Sequence, residues 1–189
     1  MAYDLKNVFY LDTSATITKA TAGGGSAQLD LSAYIDPIAR GRQKGTGLAV
    51  YKVYTSVINT EDSNEVAPEA SETGVLAYSL QAGASLGDNA TGALNVAAGD
   101  TSFSASNQLL VSAGNYYGPA SGPASTGGVP EDYIMPSKDV PYVVVRDNVC
   151  LVYNVSTSKQ FESNSKIAVR LECAQITLDQ ATLNQLLRT

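Results

Sequence analysis

The residues with the most chemical promise are Gly83-Ala84-Ser85-Leu86-Gly87, a G-x-S-x-G sequence. In hydrolases this pattern presents a strained serine as nucleophile, and a histidine takes its proton. The chain contains no histidine, so that triad cannot be assembled. A serine–lysine pair would escape the requirement, yet no S-x-x-K of the known kind leads into a helix. An isolated short motif arises readily by chance in a chain rich in Gly and Ser. Catalysis at Ser85 is therefore not expected, and no other constellation supplies a reaction.

The densest basic cluster is Arg40, Arg42 and Lys44, within Ile38-Ala39-Arg40-Gly41-Arg42-Gln43-Lys44-Gly45. It lacks the G-x-x-x-x-G-K-[ST] spacing of a phosphate loop. A solvated turn between two strands accounts for it; contact with an acidic neighbour is the functional reading, and contact with a nucleic-acid backbone the remaining one. Metal sites are not expected. Zinc favours His and Cys, and the chain has only Cys150 and Cys173, far apart in sequence. Glu61, Asp62, Asn64 and Glu65, or Asp88 and Asn89, lack the spacing of an EF-hand. Both cysteines fall in apolar runs and read as buried thiols, although a bridge between neighbouring strands stays open. No cofactor is implied.

Charged residues make up 16% of the chain, against about 25% in typical soluble domains. Gly, Ala, Ser and Thr take their place. Interface cores are depleted in charge, so this composition suits a protein that lives against copies of itself. The formal net charge is −6, so net charge does not draw the chain to nucleic acid or anionic membranes. Residues 1 to 20 contain only Lys6 and Lys19 as cations, too few for a genome-condensing arm. The start lacks a basic, then apolar, signal-peptide pattern, and no run of about 18 apolar residues predicts a membrane helix. Eleven tyrosines stand against three phenylalanines and no tryptophan. Tyr joins an apolar ring to a polar tip and is enriched at interfaces. Tyr116, Tyr117 and Tyr133 read as exposed loop aromatics.

Positioning these residues falls to strands, because the apolar pattern has mostly period two. Ala27, Leu29, Leu31, Ala33 and Ile35 share one face of Ala27 to Asp36. Ile167, Val169, Leu171 and Cys173 alternate with Lys166, Arg170 and Glu172. Leu48 to Ile58 is rich in β-branched and aromatic residues on both faces, which fits a central strand. Tyr142 to Arg146 and Val149 to Tyr153 flank Asp147-Asn148 and predict a hairpin. Weaker strands are expected at Val8 to Asp12, Ser14 to Lys19, Gly74 to Gln81, Ala93 to Ala97 and Gln108 to Ser112. A short helix is expected over about 178–187, capped by Thr177 and Gln180, with Leu178, Ala181, Leu186 and Leu187 as its apolar stripe. Long loops are expected over about 60–73, which is acidic, and 114–140, which holds four prolines.

About eight strand-like runs, long inserted loops, no signal pattern and a small terminal helix resemble viral capsid proteins of the single jelly-roll kind. The resemblance implies one all-β domain over 1–189, a jelly-roll-like β-sandwich of two sheets with one short C-terminal helix. It implies a non-enzymatic shell subunit that self-assembles through loop and edge contacts, without direct nucleic-acid binding. Its partners would be copies of itself and other virion proteins. Its place would be the virion, after synthesis in host cytoplasm. The expected contact residues are Arg40, Arg42, Lys44, Tyr116, Tyr117 and Tyr133. The alternative is an extracellular β-sandwich filament, adhesin or surface-layer subunit, which would call for a secretory signal. A carbohydrate-binding or hydrolytic β-domain would call for Trp platforms or a carboxylate pair.

Overall fold

The computed structural model describes residues 7–36, 44–61, 75–83, 109–117, 130–156 and 160–187. These hold nine strands: β1 (Val8–Ile17), β2 (Gly23–Asp30), β3 (Lys44–Asn59), β4 (Val75–Ala82), β5 (Leu110–Tyr117), β6 (Pro130–Ile134), β7 (Tyr142–Val144), β8 (Asn148–Val155) and β9 (Ser165–Asp179). One helix follows, α1 (Gln180–Leu187). The strands form two antiparallel sheets, ordered β1-β9-β3-β7 and β2-β8-β4-β5-β6.

The pairing explains the order. β1 pairs with β9, β2 with β8, β3 with β7, and β4 with β5. The chain is thus an antiparallel ribbon folded at its middle and rolled, so that successive rungs fall in alternate sheets. That is a jelly roll. β6 is an added rung at the edge of the second sheet, beside β5.

Period-two alternation builds the core between the sheets. Ile167, Val169, Leu171 and Cys173 of β9 are all buried, as are Leu48, Val50, Val53 and Val57 of β3. They face Leu76, Tyr78 and Leu80 of β4 and Val149, Leu151 and Val155 of β8 in one apolar cluster. β3 lies between β9 and β7, as its two-faced apolar pattern required. A bulge at Val50/Lys52 shifts the register. Around it, Ala49 and Tyr51 form a small second cluster with Ala174.

Several expectations need correction. β1 is one continuous strand in place of two weak ones, and it ends at Ile17. β2 stops at Asp30, short of Asp36, because the Asp30 carboxylate accepts the Ser32 N–H at 2.8 Å. The chain then turns helically, with Ile35 N–H donating to Leu31 O at 3.0 Å. Leu31 and Ile35 are buried from that turn. Asp147-Asn148 does not close a hairpin: β7 lies in the first sheet and β8 in the second. Asp147 O instead accepts the Leu31 N–H at 2.7 Å, which directs the chain across the sandwich.

The expected loop over 114–140 contains the end of β5 and all of β6. Pro130 opens β6 at the sheet edge, where a missing N–H is tolerated, so a proline here does not exclude a strand. Of the loop over 60–73, only Thr60 and Glu61 are described, and the strand expected at Ala93 to Ala97 lies outside the described residues. The helix is capped by Asp179, not Thr177: its Oδ1 accepts the Thr182 N–H at 2.7 Å. That bond lowers the Asp179 pKa. Leu183 is the buried anchor of α1, whereas Leu187 is 39% exposed. Gly45 of β3 permits the contact, because a Cβ there would meet Leu183 Cδ1 at 2.5 Å.

Candidate assembly surface

Ser85 lies outside the described residues, and so do Arg40 and Arg42. Gly83, the first residue of the G-x-S-x-G sequence, leaves β4 at φ +120°, a conformation that favours glycine. Its N–H donates to Asn148 O at 2.7 Å. That glycine therefore has a structural use, tying the end of β4 to the start of β8. Lys44 is exposed at the start of β3, opposite Asp179 in register.

Tyr116 is not an exposed loop aromatic: it lies on β5. It is fully buried, facing the core across from Leu76, with the Phe161 ring 5.9 Å away. Burial pushes its phenol up to about 12. Its neighbour Tyr117 points the other way and is 42% exposed; Tyr133 on β6 is 50% exposed. The fold brings these two tyrosines to neighbouring strands at one edge of the second sheet, away from Lys44 in the first.

A second surface was not foreseen: the outward face of β1, β9 and β3. Antiparallel register sets Asp12, Arg170 and Tyr54 side by side, then Ser14, Ala168 and Ser56. Tyr10 and Tyr54 stand up from this face. Between the outer rows is a hollow of about 560 Å³, lined by Tyr10, Asp12, Tyr54, Lys166 and Arg170 among others. Glu172 accepts from Tyr54 Oη at 2.9 Å and holds Lys138 at 3.5 Å. The carboxylate raises the Tyr54 pKa. Lys52 Nζ sits 4.5 Å from the centre of the Tyr54 ring. The signal was present in sequence as alternate positions of β9, but its partners lie on strands more than a hundred residues away.

Other titratable groups serve structure. Tyr78 Oη donates to Asp132 Oδ1 at 2.8 Å, fastening β6 to β4. Burial raises the Asp132 pKa, and the Tyr78 bond opposes that rise. Glu61, weighed above as a calcium ligand, accepts from Asn164 Nδ2 at 2.6 Å and pairs with Lys19 at 3.4 Å. Among the described residues no three His, Cys, Asp or Glu side chains cluster as metal ligands. Cys150 and Cys173 are both buried and form no disulfide. No helix among the described residues is long and apolar enough to cross a membrane.

No protein-family model and no curated protein sequence matches this chain. In three dimensions it is similar to VP1 of Trichodysplasia spinulosa-associated polyomavirus. VP1 in complex with GM1 oligosaccharide superposes with a TM-score of 0.50 at 8% identity, covering 92% of this chain and 95% of that one. VP1 in complex with 3'-sialyllactose gives 0.50 at 8% identity, covering 92% and 97%. This chain shares the jelly-roll fold of these viral capsid proteins. At that identity the likeness concerns the fold.

Proposed function

We propose that the protein is a structural virion component, a capsid shell subunit that acts by self-association and carries out no bond-making reaction. The observation that carries this reading is the rolled-ribbon topology, whose likeness to viral VP1 spans 92% of the chain. The absence of histidine supports a non-enzymatic role by removing the commonest general base. The low charge content supports burial against other protein surfaces.

Tyr117 and Tyr133 are the proposed edge contacts. Both expose a ring at the border of a sheet, where a neighbour can cover it. Lys44, with Arg40 and Arg42, is proposed as a further contact with acidic neighbours, other virion proteins included. Electron microscopy of the purified protein tests the reading. Closed shells or ring-shaped capsomers are the expected result. Filaments or flat arrays would favour a fibre or surface-layer subunit, and monodisperse monomers at every concentration would reject assembly.

A further inference from the structure

We infer that the outward face of the β1-β9-β3 sheet is a subunit contact of its own, which receives an acidic surface of a second copy in head-to-tail fashion. The inference rests on the assembly reading above and names one partner surface for it. The chain carries twelve Lys and Arg against eighteen Asp and Glu. Among the described residues of β1, β9 and β3, this face carries Lys52, Lys166 and Arg170 with Asp12 and Glu172, and Lys138 joins it through its pair with Glu172. The rest of the chain therefore holds eight cations against sixteen carboxylates. A basic face on a molecule otherwise this acidic is complementary to another copy of itself.

The side chains are arranged to be met. Glu172 is already engaged by Tyr54 and Lys138. Arg170 and Lys166 pair with no carboxylate among the described residues. Tyr10 is 57% and Tyr54 42% exposed, and they border the hollow that contains Arg170. Tyr and Arg, with Trp, are the residues enriched among those that carry most of the binding energy of an interface. The charge also selects the symmetry. Two such faces meeting across a two-fold axis would set cations against cations, so the contact is heterologous. A heterologous contact repeats from copy to copy and closes into a ring when its rotation allows.

Sedimentation velocity of wild type and of the double variant Lys166→Glu/Arg170→Glu, at low and high salt, tests the inference. Lys166→Gln/Arg170→Gln serves as a milder second variant, and circular dichroism checks that all three fold. The expected result is that the charge reversal raises the concentration for half-assembly by about tenfold or more, with the Gln variant in between. High salt weakens wild-type assembly in the same direction. Assembly of the reversed variant at wild-type concentrations overturns the inference while leaving the assembly reading intact. A wild type that never assembles overturns both. Retained assembly together with lost binding of a single-stranded oligothymidylate would assign the face to a polyanion and overturn it as well.

Discussion

Tyr78 and Asp132 show how a buried polar pair fastens an edge strand. Tyr78 is 1% exposed, and its hydroxyl reaches the one carboxylate that β6 turns inward. Removing the donor leaves a partly buried carboxylate without that partner, so Tyr78→Phe should destabilise the fold by about 1–3 kcal/mol at neutral pH, read by urea denaturation. The Asp132 pKa is raised in the folded state. The folded protein thus holds this proton to higher pH than the unfolded chain does. Its contribution to stability is full below the ordinary carboxylate value and is lost as pH rises through the raised one. Asp132→Asn should flatten that part of the pH profile, and a profile identical to wild type would contradict the assignment. The cysteines make a second prediction at this scale. Both are buried, and burial pushes the Cys173 thiol up to about 12. Neither should react with a thiol reagent at pH 8 in the native protein, and both should react in urea. Burial of both thiols was legible from their apolar runs. The inward turn of Tyr116 was not, because a tyrosine in a Gly- and Pro-rich stretch fits either a loop or a strand.

At the scale of elements, the periodic strands were the legible part. β9 and β3 alternate or saturate with apolar residues over many positions, and such patterns survive tertiary context. The path between elements was hidden. Asp147-Asn148 has good hairpin chemistry, but the bond from Leu31 N–H to Asp147 O, from a segment over a hundred residues earlier, sends the chain to the other sheet. The helix stripe was misplaced by the same cause. Which side of α1 is buried depends on where β3 offers space, and Gly45 offers it to Leu183. Leu183→Ala should therefore cost about 2–5 kcal/mol, since a fully buried leucine is truncated. Gly45→Ala should also destabilise, by about 1–3 kcal/mol, because the new methyl would meet Leu183 and Asp36 O. Thermal unfolding checks both. A Gly45→Ala protein as stable as wild type would show that α1 does not pack there.

For the whole molecule, the rolled ribbon places first and last strands side by side and leaves Tyr10 and Tyr54 on the outward face of the first sheet, and Tyr117 and Tyr133 at one edge of the second, toward solvent. Fold class followed from alternation and turn spacing. The basic outward face did not, because its charges come from three strands that only the pairing register brings together. Tyr117→Ser and Tyr133→Ser should leave unfolding within about 0.5 kcal/mol of wild type, as exposed substitutions usually do. Each should weaken assembly, seen as a smaller weight-average mass in light scattering at fixed concentration. The central claim, that this chain works by fitting against its own copies, is tested most directly by sedimentation velocity of the wild-type protein over a hundredfold range of concentration. The account predicts a discrete, closed species growing at the expense of the monomer. A single monomeric boundary throughout the range would contradict it.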